Sequence, residues 1–292
     1  MPSTNLVDRQ RADRGGEYDR LVHTSSKPAG CDPDEPSGGR CNRLRASCSS
    51  QPDDLFAQGV RFPWCGNPSP GMSQAAADLI PERPTLATLR KAASRCRACP
   101  LWETGSRTVF GEGAARATAM FVGEQPGDQE DRQGRPFVGP AGRVLDEALE
   151  LAGIARDSIY LTNAVKHFKW EKRGKRRIHA KPSWSEQMAC RPWLEAELVV
   201  LRPHVLVCLG ATAAQSLLGK QFRVTKERGR WLDSDLADLV VATIHPSAIL
   251  RQRDGASRRR ELQLFVEDLR LVAAELDTKG QTREAGPEPG SS

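Results

Sequence analysis

The chain has 292 residues, a formal net charge of +6 and 38% hydrophobic residues, with a mean hydropathy of −0.53. This low apolar content predicts that part of the chain forms no core, and no apolar run of about 18 residues is present to span a bilayer. Because the sequence also lacks a hydrophobic signal segment, we expect a cytoplasmic protein whose eight cysteines are thiols or ligands rather than disulfides.

The two ends of the chain differ in composition from its middle. Residues 1–82 are rich in Pro, Gly, Ser, Arg and Asp, and they predict a disordered N-terminal extension. The extension contains four cysteines without the close pair spacing of a metal site: Cys31, Cys41, Cys48 and Cys65. Residues 277–292 predict a disordered tail, so we expect one folded domain over residues 83–276.

Strand and helix patterns alternate through this domain. Apolar runs predict strands over residues 118–122, 158–165, 205–209 and 239–244. Helices are predicted over residues 86–93, 141–152, 183–200, 211–218 and 258–276, and Pro192 is expected to kink or break the third of them. This alternation indicates an α/β fold with three layers, α/β/α, around a central and mostly parallel four-stranded sheet.

Polar residues follow three of the predicted strands. Gly123, Glu124, Gln125 and Asp128 follow the first strand, Asn163 lies near the end of the second, and a His-Pro-Ser segment begins at His245 after the fourth. Ligands of parallel sheets bind beyond the carboxyl ends of the strands, so we expect these groups to form one site. The glycines of residues 123–142 suit a close approach by an anion or a planar ligand, but their spacing matches no dinucleotide or phosphate-loop fingerprint.

A basic segment follows the second strand. Between Lys166 and Lys181 there are eight Lys or Arg residues and one acid, Glu171, interleaved with Phe168 and Trp170. Positive charge interleaved with aromatic rings suits a polyanion whose bases can stack, although a solvated basic connector explains the same residues. The candidates for substrate contact in this segment are Lys175, Arg176 and Arg177.

Three cysteines of the domain are candidate metal ligands. Cys96-x-x-Cys99 is a chelating pair, and Cys190 lies downstream on a predicted helix. From spacing alone, a zinc site and an iron–sulfur site both remain open. Cys208 lies inside an apolar strand, and we interpret it as a core residue.

Five segments together resemble UdgX, an iron–sulfur branch of the uracil-DNA glycosylase superfamily that becomes covalently attached to uracil-containing DNA. The segments are Gly-Glu-Gln-Pro-Gly-Asp-Gln-Glu-Asp (123–131), Pro-Phe-Val-Gly-Pro-Ala-Gly (136–142), Thr-Asn-Ala-Val-Lys-His-Phe (162–168), Lys-Arg-Arg-Ile-His (175–179) and His-Pro-Ser (245–247). The resemblance covers residues 84–275. It implies a uracil-DNA glycosylase-like fold and the excision of uracil, with His179 as the nucleophile that binds the sugar C1′.

The resemblance also implies the roles of the other site residues. Phe137 would stack on a flipped-out uracil next to Gly123, and the Asn163 amide would bind the base edge that distinguishes uracil from cytosine. His245 would stabilise the departing anionic base. The implied catalytic pair is Glu124 and Gln125, which Asp128 would orient.

The implied cofactor is a 4Fe–4S cluster. Its ligands would be Cys96, Cys99, Cys190 and His167, the last at a position where hydrolytic relatives carry Cys. The expected partner is uracil-containing DNA, with single strands preferred, bound by a monomer. Two alternatives stay open: a turnover glycosylase in which Glu124 activates water, and a non-catalytic iron–sulfur module that binds DNA.

Overall fold

The computed structural model describes the backbone of residues 74–284 and the side chains of residues 76–278. The predictions for residues 1–73 and 285–292 lie outside the described residues, as do the four cysteines of the predicted extension. The described residues include a short helix before the predicted boundary at residue 83, α1 (Gln74–Ala77), in which Ala76 is buried.

The described residues form ten helices and eight strands. In chain order they are α1, α2 (Leu86–Ala93), α3 (Leu101–Thr104), β1 (Glu112–Gly113), β2 (Ala119–Gly123), α4 (Asp128–Gln133), α5 (Pro140–Ala152), β3 (Tyr160–Asn163), β4 (Trp170–Arg173), β5 (Arg176–His179), α6 (Trp184–Leu201), β6 (Val205–Leu209), α7 (Ala211–Leu218), α8 (Val224–Glu227), β7 (Trp231–Leu232), β8 (Leu239–Thr243), α9 (Pro246–Leu250) and α10 (Gly255–Glu284). A 3₁₀ turn, Arg156–Ser158, precedes β3. The predicted bounds of α2, β6 and α7 are confirmed.

The main sheet has six strands, in the order β1-β3-β2-β6-β8-β7. Its four central strands are the predicted ones, and they pair in parallel. The prediction of four strands was incomplete, because β1 and β7 add antiparallel partners at the two edges. Each edge strand has two residues, which is too short for a period-two pattern to be recognised.

The three-layer α/β/α arrangement is confirmed by two apolar cores, one on each face of the sheet. Successive residues of β2 alternate between them: Phe121 packs with helices α5, α9 and α10, whereas Met120 and Val122 pack with α6 and α7. Cys208 of β6 is fully buried in the second core, as its position in an apolar run predicts. This alternation is the period of a strand whose faces are both covered.

Two helices differ from their predictions at identifiable residues. Helix α6 runs from Trp184 to Leu201 with Pro192 inside it. A kink or a break was expected at this proline, and the helix is not broken there. The apolar contacts of Trp193 and Leu194, both fully buried, offset the missing N–H donor. Helix α10 continues to Glu284, past the predicted end at residue 276. No helix of the described part of the chain is long and apolar enough to cross a membrane.

The basic segment is a hairpin rather than a loop. Strands β4 and β5 pair antiparallel in a separate two-stranded sheet, with Trp170 opposite His179. Gly174 forms the turn with φ of 61°, a left-handed conformation that glycine adopts without a steric penalty. The hairpin therefore holds His179 at its base, beside the main sheet, and exposes its basic turn.

Candidate active site

Gly123, Phe137 and Asn163 meet where β2 and β3 end side by side, and we refer to this cluster as the pocket. Gly123 is paired with Asn163 in the parallel register, and the side chains of Asn163 and Phe137 are both buried. A Cβ atom on Gly123 would collide with Asn163 Oδ1 and would lie 2.6 Å from Phe137 Cζ. Glycine is required here because the amide and the ring both approach the backbone, and together the three residues can hold a flat, polar ligand.

His245 contacts the same pocket from the end of β8. Its ring lies 6.2 Å from the Phe137 ring, centroid to centroid, with 27° between the planes. Nδ1 accepts a hydrogen bond from the backbone N–H of Ser247 at 3.2 Å, so the ring proton lies on Nε2. Burial lowers the pKa of His245 to about 4, and the charges of His179 and Arg251 act in the same direction. His245 is thus a neutral donor at physiological pH.

His179 meets the two residues that follow β2. Its Nε2 lies 3.3 Å from Oε1 of Glu124 and 2.8 Å from Nε2 of Gln125, and its side chain is 49% exposed. The other Glu124 oxygen, Oε2, accepts a hydrogen bond of 2.5 Å from the Thr212 hydroxyl. Glu124 is therefore fixed from one side by α7, while its second oxygen faces an accessible imidazole.

Gln125 contacts His179 directly. Its side-chain nitrogen lies within hydrogen-bond distance of Nε2 of His179 (2.8 Å) and of the carbonyls of Lys169 (3.2 Å) and Ala180 (2.9 Å). Its Oε1 accepts the Lys169 N–H at 2.9 Å. In the tautomer of His179 with the proton on Nδ1, Nε2 accepts from Gln125 and keeps the lone pair that a nucleophile needs. Gln125 also fixes both ends of the hairpin.

Arg177 stabilises the hairpin through two aspartates, and its role in substrate contact stays a prediction. Its Nε donates to Oδ1 of Asp128 at 2.6 Å and its NH1 to Oδ2 of Asp131 at 2.6 Å. The guanidinium also lies 5.5 Å from the ring centroids of Phe168 and Trp170. The Asp128 carboxylate was expected to orient Glu124 and Gln125; it pairs with Arg177 and Arg132.

The remaining predicted substrate residues lie at the turn of the hairpin. Lys175 and Arg176 are exposed, as are Lys172 and Arg173 on the opposite strand. Their positive charges are available to a phosphate backbone. Within the hairpin strands and turn, one arginine thus holds the hairpin and four cations face solvent.

Sequence reasoning missed a buried ionic network beneath the pocket. Lys166 Nζ lies 2.5 Å from Oε2 of Glu197 and also donates to the Thr162 hydroxyl (2.7 Å) and the Asn163 carbonyl (2.8 Å). Glu197 additionally accepts from the Tyr160 hydroxyl at 2.9 Å. Lysine is rarely fully buried, but nothing distinguishes Lys166 in sequence from the seven other cations of its segment.

The three candidate cysteine ligands lie in one apolar cluster between α2, α3 and α6. Cys190 Sγ accepts the Lys166 N–H at 3.2 Å, and Cys96 Sγ accepts the indole N–H of Trp193 at 3.3 Å. Burial raises the pKa of the Cys190 thiol to about 12 and raises that of Cys99.

His167, the fourth predicted ligand, is buried and borders the same groove as Cys96. Its Nε2 lies 2.9 Å from the Thr108 hydroxyl. Burial lowers the pKa of His167 to about 4 against the opposing charge of Asp131, so the ring is neutral, as a metal ligand must be. Among the described residues, no three His, Cys, Asp or Glu side chains converge closely enough to hold one metal ion.

The fold and the site define a class of protein: an α/β/α protein with buried amide and aromatic side chains clustered at the carboxyl ends of a parallel sheet. Residues 110–270 match the Uracil DNA glycosylase superfamily. The chain is 38% identical to the Type-4 uracil-DNA glycosylase of Thermotoga maritima, over 64% of this chain and 92% of that protein. It is 35% identical to the Type-4 enzyme of Sulfurisphaera tokodaii, over 57% and 76%, and 31% identical to the Type-5 enzyme of Pyrobaculum aerophilum, over 66% and 87%. The chain therefore belongs to the uracil-DNA glycosylase superfamily.

Proposed function

We propose that the protein excises uracil from DNA and then binds covalently to the resulting deoxyribose through His179. The observation that carries this proposal is the position of an accessible imidazole 3.3 Å from Oε1 of Glu124, next to the pocket. Family membership and the names of the relatives support the excision step. The capture step rests on the histidine itself and on the resemblance of residues 175–179 to UdgX.

Base recognition would use the three walls of the pocket. A uracil turned out of the strand would stack on Phe137, while the Asn163 amide donates to O4 and accepts from N3–H. A cytosine would present an amino group at the first position and no N–H at the second. Gly123 allows Asn163 and Phe137 to lie this close to the backbone, because a methyl group there would collide with both.

Cleavage would break the bond between C1′ and N1, with both electrons leaving on uracil. The neutral His245 would donate from Nε2 to O2 and stabilise the anionic base as its charge develops. The sugar acquires oxocarbenium character at C1′. Nε2 of His179, in the tautomer with its proton on Nδ1, would then form a C–N bond to C1′, and the resulting imidazolium would lose the Nδ1 proton to solvent. The Glu124 carboxylate, 3.3 Å from Nε2, would stabilise the positive charge first on the sugar and then on the ring. The products are free uracil and a neutral N-alkyl imidazole, from which the sugar has no easy leaving path.

We also propose that Cys96, Cys99, Cys190 and His167 hold a 4Fe–4S cluster. The donor set fits, because buried thiols with raised pKa values become thiolates only beside a metal. Each ligand of such a cluster binds a different iron, so four ligand atoms need not meet at one point. The cluster would hold the segment between His167 and Cys190, which contains the hairpin, in a fixed position.

The proposed cluster can be tested on the purified protein without reference to activity. We expect about four iron and four sulfide per chain, with the visible absorption of an iron–sulfur centre. Cys190→Ser should lose the iron and the sulfide. Cys208→Ser changes a buried thiol of the second core, outside the cluster of candidate ligands, and should keep both. Stoichiometric zinc without sulfide would contradict the iron–sulfur assignment.

The proposed function is tested with a uracil-containing oligonucleotide and a matched thymine oligonucleotide, analysed on a denaturing gel. The expected result is a heat- and detergent-stable adduct with uracil only. His179→Ala should abolish the adduct while DNA binding persists. His204→Ala, a histidine paired with Asp238 at the amino end of β6, should leave the adduct unchanged.

Two other outcomes correspond to the alternatives. Free abasic DNA without an adduct means that Glu124 activates water and that the protein is a turnover glycosylase. Binding that ignores uracil, with strong salt dependence and no base release, means a non-catalytic DNA-binding module. Either outcome overturns the capture proposal.

A further inference from the structure

One buried carboxylate connects the starts of two successive helices, α4 and α5. Glu130 Oε2 accepts the N–H of Gly127 at 3.0 Å, and its Oε1 accepts the N–H of Gly139 at 2.6 Å. Gly127 is the N-cap of α4 and Gly139 is the N-cap of α5. A single side chain thus closes the loop formed by residues 127–139.

Phe137 lies in this loop in a conformation that it would not adopt unassisted. Its φ of 54° is in the left-handed region, which is strained for a residue with a large side chain. A Cβ atom on Gly142 would collide with the Phe137 carbonyl oxygen, and Arg156 NH2 donates to that oxygen at 3.1 Å. The surrounding structure must therefore impose this conformation. Among the contacts that do so, the hydrogen bond between Glu130 and Gly139, two residues from Phe137, is buried.

No other task is visible for the Glu130 carboxylate. It is 7% exposed, no Lys, Arg or His of the described residues forms a salt bridge with it, and both of its contacts are backbone N–H groups. The N-cap of α4 alone would need one carboxylate oxygen, as in the capping box of Glu186 in α6. The second oxygen is directed to the loop that carries Phe137.

We propose that Glu130 is a positioning residue for uracil recognition: it holds the Phe137 ring in place as the stacking surface for the base. This inference rests on the proposed function, since it gives Phe137 the role of stacking on uracil. Glu130 touches neither the base nor the sugar. Its loss should therefore weaken the engagement of uracil and leave the later capture by His179 unchanged.

The test uses Glu130→Gln, which keeps the size of the side chain. An amide retains one acceptor and turns an NH₂ group toward the other N–H, so one of the two contacts is lost. The uracil-DNA concentration for half-maximal single-turnover excision should rise roughly tenfold to a hundredfold, as expected for a hydrogen bond to a charged group. The fraction of excised sites that become adducts should not change.

The matched control is Glu112→Gln. Glu112 binds Arg135 of the same loop, but on the exposed side, with Nε of Arg135 2.9 Å from Oε2. Its substitution removes a carboxylate charge that contacts the same loop and should change the half-maximal concentration by less than about twofold, as for an exposed ion pair. Equal effects of the two variants would overturn the inference.

Two further measurements separate positioning from a general loss of structure. Hydrogen exchange should show faster exchange of the Gly139 amide in Glu130→Gln, with β2 and β6 unaffected. In a double-mutant cycle, Glu130→Gln should add no further loss in a Phe137→Ala background, because both changes remove the same ring surface. Additive losses would contradict the proposal.

Glu130→Asp serves if the glutamine variant does not fold. The shorter carboxylate can keep the N-cap contact at Gly127 while losing Gly139, and it should show the same rise in half-maximal concentration. Failure of this inference can be distinguished from failure of the proposed function. If the wild-type protein releases no uracil, the proposed function fails; if it does and Glu130→Gln behaves like Glu112→Gln, only this inference fails.

Discussion

The pocket and the hairpin present the two halves of the proposed reaction in contrasting ways. The pocket residues Gly123, Phe137 and Asn163 are placed by the core, at the ends of parallel strands or in a loop tied to two helices. The hairpin has four exposed cations near its turn, and His179 at its base is half exposed. Selection of the base thus depends on buried geometry, whereas capture of the sugar depends on a side chain that DNA can reach.

The hairpin can position His179 because contacts with the rest of the domain stabilise it. An isolated two-stranded hairpin is at best marginally stable in water. Here it is fixed at three points: the Gln125 amide holds both of its ends, Arg177 joins it to α4, and the Trp170 indole N–H donates to the Thr104 carbonyl at 2.8 Å. The proposed cluster would add a fourth point, since two of its ligands flank the hairpin.

The largest expected effect comes from adding one methyl group to the pocket. Gly123→Ala places a Cβ atom in the space of Asn163 Oδ1 and Phe137 Cζ, so the pocket must open. We expect single-turnover uracil release to fall by at least about a hundredfold, the cost of a misplacement near 1 Å.

The control for this substitution is Gly174→Ala at the hairpin turn. No heavy atom lies within 4 Å of a Cβ there, although φ of 61° makes the substitution mildly strained. It should destabilise the hairpin by about 1 kcal/mol and slow release no more than a few-fold. Comparable losses in the two variants would show that the pocket is not the more sensitive region.

A smaller effect is expected from releasing the hairpin. Arg177→Gln removes the contacts with Asp128 and Asp131, each charge-assisted, so the rate of adduct formation should fall about tenfold. Arg176→Gln removes an exposed cation from the adjacent position, and it should weaken DNA binding and its salt dependence without lowering the adduct rate at saturating DNA. Time courses on denaturing gels at saturating DNA would measure the adduct rates of both variants. Identical rates in the two variants would refute the role assigned to Arg177.

The smallest effect is the pH dependence of stability that His245 contributes to the pocket. Its pKa is lowered from 6.5 to about 4 by burial, so folded and unfolded chains are both neutral at this residue above pH 6.5. Between pH 6.5 and 4 only the unfolded chain binds the proton, and the free energy of unfolding falls by up to about 3 kcal/mol. Denaturant titrations across this range should show a smaller fall for His245→Gln; equal falls would mean that burial does not perturb His245.

Much of the fold is readable from sequence because the central strands are continuous apolar runs. The run over residues 205–209 and the pattern over 211–218 yield β6 and α7 with their observed bounds. The hairpin is not readable in this way. Its strands lack the alternating apolar and polar residues of a half-buried strand, and its position depends on distant partners such as Asp131 and Gln125.

The site divides in the same way. Residues directly after strands, such as Glu124, Asn163 and His245, could be predicted because a parallel sheet brings its carboxyl ends together. Thr212 and Lys166 could not, because a threonine in a helix and a lysine among lysines carry no local signal. The contacts that Arg177 makes within the protein could not be predicted either, since its acidic partners lie about fifty positions away in sequence.

Peptide mapping of the protein after reaction with uracil-containing DNA shows directly whether His179 becomes joined to the abasic sugar. After nuclease and protease digestion, we expect a single modified peptide whose added mass is that of the deoxyribose remnant, with fragmentation locating it on His179. Modification of any other residue, or unmodified protein alongside free abasic DNA, would contradict it.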